Sequence, residues 1–256
     1  MCRDALGAEL SLSLQRVPGD DDAPTLGLEA YARLRRDLIA GQLPPGQRLR
    51  LRQLSAAYGV GIAPLREALS RLVSEQLVRV EGNRGYTVAP LSLEDLHDLC
   101  RLRIDLGCSA LRQSIARGDA DWEAEILAAL HRLERAPLPA SHEDRVTIDQ
   151  WEQRHDRFHA SLIAACRSPW LIHFCDVLSD HFQRYRRAVI VVTAGSQELS
   201  RRVREEHRTL AEATVSREAD RAANILARHF EGSLDVVARN YEAVTRSLRA
   251  PAPADG

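Results

Sequence analysis

Only one stretch of this chain, Leu77–Val88, alternates like a pair of β-strands; almost everything else repeats with the period of an α-helix. That single feature excludes sandwiches, barrels and doubly wound sheets, each of which needs many strand-length alternations. Leu77-Val78-Arg79-Val80-Glu81 alternates, Gly82-Asn83-Arg84-Gly85 has turn composition, and Tyr86-Thr87-Val88 pairs back. Val189–Val192 is the one other β-branched run, and a short strand is conceivable there. The fold class expected is mainly α.

Upstream of the hairpin the pattern gives three short helices. The first runs from Glu29 to about Ala40 on Leu34, Leu38 and Ile39, and Gly41 stops it. Leu-Pro-Pro-Gly at 43–46 is a turn. The second covers Leu51–Tyr58, and Gly59 breaks it. The third begins near Ala63, with Pro64 in its first turn and an apolar stripe of Leu65, Leu69, Leu72 and Val73. Three helices and a hairpin in about 60 residues outline a winged helix-turn-helix.

After Pro90 the remainder reads as an all-α antiparallel bundle. Ser92-Leu-Glu-Asp95 caps a helix running to about Arg117, and further helical patterns cover roughly 120–136, 144–166, 170–193, 197–215 and 217–248. The expected organisation is therefore a disordered arm at 1–27, the winged helix-turn-helix at 28–90, an all-α bundle at 91–248, and a disordered tail at 249–256.

Charge separates these parts. The total is −1, and all 35 basic residues are Arg, with no Lys. Residues 29–90 nevertheless hold ten Arg against five acids, whereas 91–256 hold 23 Arg against 26 acids. A basic module inside an acidic body is what contact with phosphates requires. No apolar run reaches the ~18 residues of a membrane span. Five scattered cysteines without a CxxC fit a reducing cytoplasm, where the protein is expected to act.

In a helix-turn-helix the second helix lies in the major groove. Here that helix opens Gly61-Ile-Ala-Pro-Leu-Arg66, and Arg66 is the one long polar donor of its first turn, placed to reach guanine O6 and N7. Arg52 on the supporting helix and Arg84 at the hairpin tip fall at two further contact points, and Ala63 and Pro64 lie beside Arg66. Arg71 is expected on a phosphate or on Glu75. The partner implied is double-stranded operator DNA.

Tyr31-x-x-Leu-Arg35, Gly41-x-Leu-x-Pro-Gly46, Leu54-Ser-x-x-Tyr-Gly-Val60, Pro64-Leu-Arg-Glu-Ala-Leu-x-Arg-Leu72, Leu77-Val78 and Gly85-Tyr-x-Val88 together resemble the GntR-family winged helix. The helical remainder resembles the FCD effector domain of that family's FadR-like branch. Family members commonly carry Ser-Arg or Thr-Arg where this chain has Gly61-Ile62, so the resemblance implies an operator that departs from the common half-site. Gly118-Asp-Ala-Asp-Trp-Glu-Ala and Ser168-Pro-Trp-Leu with Arg184-Tyr-Arg-Arg187 look most like regulators of the carbon-starvation, glutarate-responsive type.

The bundle helices carry polar residues where their stripes call for leucine. Arg103 lies on the stripe of Leu96, Leu99, Leu106 and Ala110, and an unpaired charge there must await an anion, find a partner or reach outward. His155 and His159 share one face, His207 lies on the stripe of Leu199, Val203 and Leu210, and His229 on that of Ala222, Ile225 and Leu226. Histidines at i, i+4 let two imidazoles bind one metal. FCD domains bind a divalent metal through an Asp, the His of a Phe-His pair and two later histidines. Phe158-His159, Glu206-His207 and His229 match, and His155 stands where the Asp would be. The resemblance thus implies a divalent metal on His155, His159, His207 and His229, and imidazole-rich ligation favours Zn or Ni. Asp156 is a fallback ligand. Arg103 matches an arginine that holds an effector carboxylate, and Gly107, where many members have Glu, is expected to widen that spot.

The function expected is a ligand-responsive DNA-binding regulator, a repressor and homodimer, that binds a small carboxylate effector and is not an enzyme. The helix from Leu93 to Arg103 would carry the ligand signal to the wing. Arg184, Arg186 and Arg187 are expected on a solvated or dimer face. Two rivals stand beside this: a metal-dependent hydrolase using the His cluster, for which there is no HExxH and only Asp156 as a weak general-base candidate, and a ligand-independent architectural DNA-binding protein.

Overall fold

The computed structural model describes residues 25–82, 85–139, 141 and 143–249; residues 1–24 of the expected arm, 250–256 of the tail and the hairpin tip with Arg84 lie outside them, while Leu26 and Gly27, expected in the arm, are helical. Its first 65 described residues form the expected winged helix. Helix α1 (Leu26–Ile39) starts three residues before the sequence pattern suggests, because the Thr25 hydroxyl accepts from the Leu28 N–H at 3.3 Å and caps it. Helices α2 (Leu51–Tyr58) and α3 (Ile62–Ser74) follow, joined by Gly59 in the left-handed region at φ 66°. Strands β2 (Val78–Val80) and β3 (Tyr86–Val88) form the hairpin. A strand the sequence did not reveal, β1 (Arg48–Leu49), pairs antiparallel with β3 and gives the order β1-β3-β2. Two residues are too few to alternate, so only the tertiary pairing exposes it.

Leu34, Leu38, Leu65, Leu69, Leu72 and Val88 close the core of this module, each essentially fully buried. Burying such a side chain is worth about 1.5–3 kcal/mol, so these few residues hold the small module together.

The remaining described residues are helical: α4 (Leu93–Arg117), α5 (Ala120–Glu134), α6 (Arg145–Ile163) with a 3₁₀ turn at Ala164–Cys166, α7 (Pro169–Thr193), α8 (Gln197–Val215) and α9 (Ala219–Arg249). Ser92, Asp119, Asp144, Ser168 and Ser196 each cap the following helix through a side-chain oxygen. Val189–Val192 is helical within α7, not a strand; packing of Val189 into the apolar core outweighs β-propensity there. Helix α4 runs through the bundle, packed against α7 and α9. No helix among the described residues is long and apolar enough to cross a membrane. Cys100, Cys108, Cys166 and Cys175 are free thiols.

Helix α7 also meets the winged helix. Arg35 of α1 bonds both Glu75 at the end of α3 (2.8 Å) and Asp180 of α7 (2.6 Å). His181 Nε2 donates to the Glu75 carbonyl at 2.9 Å, and Arg184 donates to the carbonyl of Ala89. Tyr185 donates to the Asp95 carboxylate at 2.5 Å where α4 begins.

Candidate functional sites: a basic face and a buried histidine cluster

On the winged helix, the inward stripe of α3 leaves Ala63, Arg66 and Ser70 exposed and Pro64 half-exposed. Arg52 is exposed on α2. Neither Arg52 nor Arg66 forms an ion pair among the described residues, so both retain their charge for an external anion. Arg71 bonds Glu67 one turn back at 2.9 Å rather than Glu75, because Glu75 is already held by Arg35 and Tyr31. Arg84, the expected wing contact, lies outside the described residues.

In the bundle, the helical period that put histidines on three apolar stripes brings all four together. His155 and His159 from α6, His207 from α8 and His229 from α9 each offer a ring nitrogen, and these atoms lie within 4.8 Å of one another. Burial, reinforced by Arg186 at His155 and by the crowding of the other imidazoles at His159, holds both well below the usual imidazole range. His207 is likewise well below it, through burial and His229, and His229 is lowered by burial against the opposing pull of Glu206. All four are therefore neutral near pH 7, the form that binds a metal.

The bonds made on the far side of the rings set which nitrogen is free. His229 Nδ1 donates to Glu206 at 2.8 Å and His155 Nδ1 to Asp156 at 3.3 Å, leaving each Nε2 to face the cluster. The Nε2 atoms of His159 and His207 are buried without any hydrogen-bond partner. Buried polar atoms left unsatisfied are uncommon and costly, by about 1–3 kcal/mol each. The donor set fits a divalent ion that prefers imidazole, such as zinc or nickel. Tetrahedral ligation with bonds of ~2.1 Å would put the nitrogens about 3.4 Å apart, so the widest separation in the cluster, up to 4.8 Å, would have to close by somewhat more than about 1 Å around an ion. Asp156 does not serve as a ligand in this arrangement, since Arg186 draws its carboxylate away at 3.1 Å.

Arg103 lies beside the cluster, 7% exposed, its guanidinium between the rings of Phe182 and Phe230 at 4.1 Å from each. Its Nη1 has no partner, and burial together with the nearby Arg186 pushes its pKa down to about 9. Two cation–π contacts offset part of the desolvation, but they supply no hydrogen bond. Gly107 does not widen the spot as expected: a Cβ there would come 3.2 Å from Phe230, whose ring already fills the space and flanks Arg103.

Arg184 is buried, and Arg186 and Arg187 are partly buried and held in ion pairs with Glu152 and Asp149 rather than solvated. Arg186 grips Glu152 through Nε at 2.9 Å and through Nη2, and Glu152 is itself 1% exposed. Against the effect of burial, Glu152 and Asp156 hold Arg186 above its ordinary pKa. Sequence reasoning missed Glu152. Its i, i+4 relation to Asp156 was visible, but the arginine joining them comes from another helix. A cavity of about 150 Å³ adjoins this group, lined among others by Arg103, Arg186, His155, His207 and His229 and by the apolar side chains of Val189, Val203 and Leu199. A broader cleft on the other side is lined by Arg103 and His159.

Comparison with known proteins agrees with this architecture. Residues 26–88 match the bacterial regulatory proteins of the gntR family, and residues 98–232 match the FCD domain. The chain is 40% identical to BphR, an HTH-type transcriptional regulator of Paraburkholderia xenovorans, over 81% of this chain and 83% of that protein. It is 34% identical to the HTH-type transcriptional repressor GlaR of Escherichia coli, over 82% of this chain and 94% of that protein. The fold matches E. coli McbR/YncC with a TM-score of 0.71 at 23% identity, covering 85% of this chain and 99% of that one. These relatives are regulators, not enzymes, which disfavours the hydrolase reading. The chain is therefore a transcriptional regulator of the GntR family with a C-terminal FCD domain.

Proposed function

We propose that this regulator binds operator DNA as a homodimer and senses a small organic acid in the cavity beside the histidine cluster, with a divalent metal held by His155, His159, His207 and His229. A repressor role fits the relative that is named as one. The observation that carries the sensing is Arg103: a buried guanidinium with an unpartnered Nη1, lining a cavity together with Arg186, His155, His207 and His229. A carboxylate is the anion whose fork matches a guanidinium. The cavity combines aliphatic lining from Val189, Val203 and Leu199 with a few charged and imidazole groups, a composition suited to a small organic acid. A bound metal would supply a Lewis-acidic partner for one of the acid's oxygens.

Coupling to DNA runs through α7 as well as through α4, the helix expected from sequence. One face of α7 carries Phe182, Arg186 and Val189 at the cavity, and the other carries Asp180, His181 and Arg184 on the winged helix. A rigid helix with a ligand on one face and Arg35 and Glu75 on the other conveys any tilt directly. It does so without a single continuous path of side chains being required.

The test begins with a duplex selected by the protein from a randomised pool. Its affinity is then titrated with short mono- and dicarboxylic acids, with zinc or nickel and with chelator. At least one acid should change affinity about 5- to 150-fold, a coupling of ~1–3 kcal/mol. Arg103→Met should abolish the response while raising the ligand-free stability by about 1–3 kcal/mol, because it removes an uncompensated buried charge. If no acid alters affinity and Arg103→Met destabilises the protein, the sensor reading fails.

A further inference from the structure

Every large apolar side chain of α3 points inward except one. Leu65, Leu69 and Leu72 are fully buried, whereas Ile62, the first residue of the helix, is 38% exposed. More than a third of its surface is thus left open to an external partner. A β-branched residue at a helix start, capped only by Gly61 with no side-chain bond, is neither a good cap nor a good helix former. Ile62 lies four residues before Arg66, so the two share one face about 6 Å apart along the axis. Ala63 and Pro64 continue the apolar surface between them.

Charge on this face is cleared as well. The one acid in the first two turns, Glu67, is bonded by Arg71 and turned toward the start of α1. A Cβ on Gly27 would stand 2.7 Å from its Oε2. The negative end is thus held at a helix N-terminus, where it is favourable, and is withdrawn from the outward face. What remains outward is one uncompensated guanidinium beside an apolar step.

The bases of a major groove offer one aliphatic group, the C5 methyl of thymine. From this we infer that Ile62 is a specificity-determining residue that reads a thymine methyl, next to the base pair read by Arg66. The inference rests on the operator-binding reading and commits to DNA as what covers the exposed Ile62 surface; the basic charge of the surrounding module supports that choice.

The experiment uses the full chain and the duplex it selects from a randomised pool. Each thymine is replaced singly by deoxyuridine, which removes the methyl and nothing else. One thymine per half-site should show a loss of about fourfold in affinity on replacement, the factor that burying one methyl supplies. That loss should disappear in Ile62→Ala and largely persist in Ile62→Val. Arg66→Ala should keep the methyl dependence and relax a neighbouring guanine instead. Unchanged melting temperatures of the variants show that folding is not the cause. Sequence-selective binding with no methyl dependence, or with the same dependence in Ile62→Ala, overturns this inference alone. A wild-type chain that selects no sequence overturns the operator reading along with it.

Discussion

The two halves of this molecule handle arginine in opposite ways. In the winged helix the core is wholly apolar, and Arg52 and Arg66 stand outside it, unpaired among the described residues and exposed. In the bundle the middle of the core is polar: Arg103, Arg186, Glu152 and four histidines are enclosed by leucine, valine and phenylalanine. The difference follows from what each half has to attract. Phosphates are bound by many weak charges in water, where counterion release supplies the driving force. A small acid offers few contacts, and each must be strengthened by a low dielectric before it can matter.

The contrast can be broken most directly at Glu152. Glu152→Ala leaves Arg186 buried with only Asp156 as counter-charge, and should cost about 3–5 kcal/mol of stability in chemical denaturation. A loss below 1 kcal/mol would mean that water reaches this pair and that the centre of the bundle is not truly dry.

A smaller effect, of definite sign, is expected with pH. The histidines are held below their unfolded pKa of about 6.5, so the unfolded chain binds more protons as pH falls through that value. Stability of the chelator-treated protein is therefore full above pH ~6.5 and falls below it, by about 1.4 kcal/mol per pH unit for each histidine still neutral in the folded state. Denaturation midpoints at about pH 7.5 and about pH 5.5 measure this, and His159→Ala/His207→Ala should flatten the dependence. The winged-helix module has no histidine between residues 28 and 90 and should contribute none of it.

The smallest effect belongs to the exposed pair Arg71–Glu67, whose side chains are about half accessible. Arg71→Ala should change stability by only about 0.3–0.5 kcal/mol, the usual worth of an exposed i, i+4 pair. A loss like that of Glu152→Ala would erase the distinction between the halves.

Much of this was legible in the sequence, for one physical reason. Helical period fixes which side chains share a face, so His155, His159, His207, His229 and Arg103 declared themselves as polar residues on apolar stripes. The cap at Ser92 is a local bond between a side chain and the next turn, and such a bond can be read from spacing alone, whereas the caps at Asp119 and Ser196 emerged only with the structure. Period and capping say nothing about which face meets which. The tertiary structure alone decided that Arg186 of α7 meets Glu152 of α6, that Phe182 and Phe230 of α7 and α9 enclose Arg103, and that two residues at Arg48–Leu49 complete a sheet. It decided, too, that Asp156 turns to Arg186 rather than to the cluster. Partners drawn from distant helices depend on packing, and packing is set by the sum of many apolar contacts that no single stretch of sequence contains.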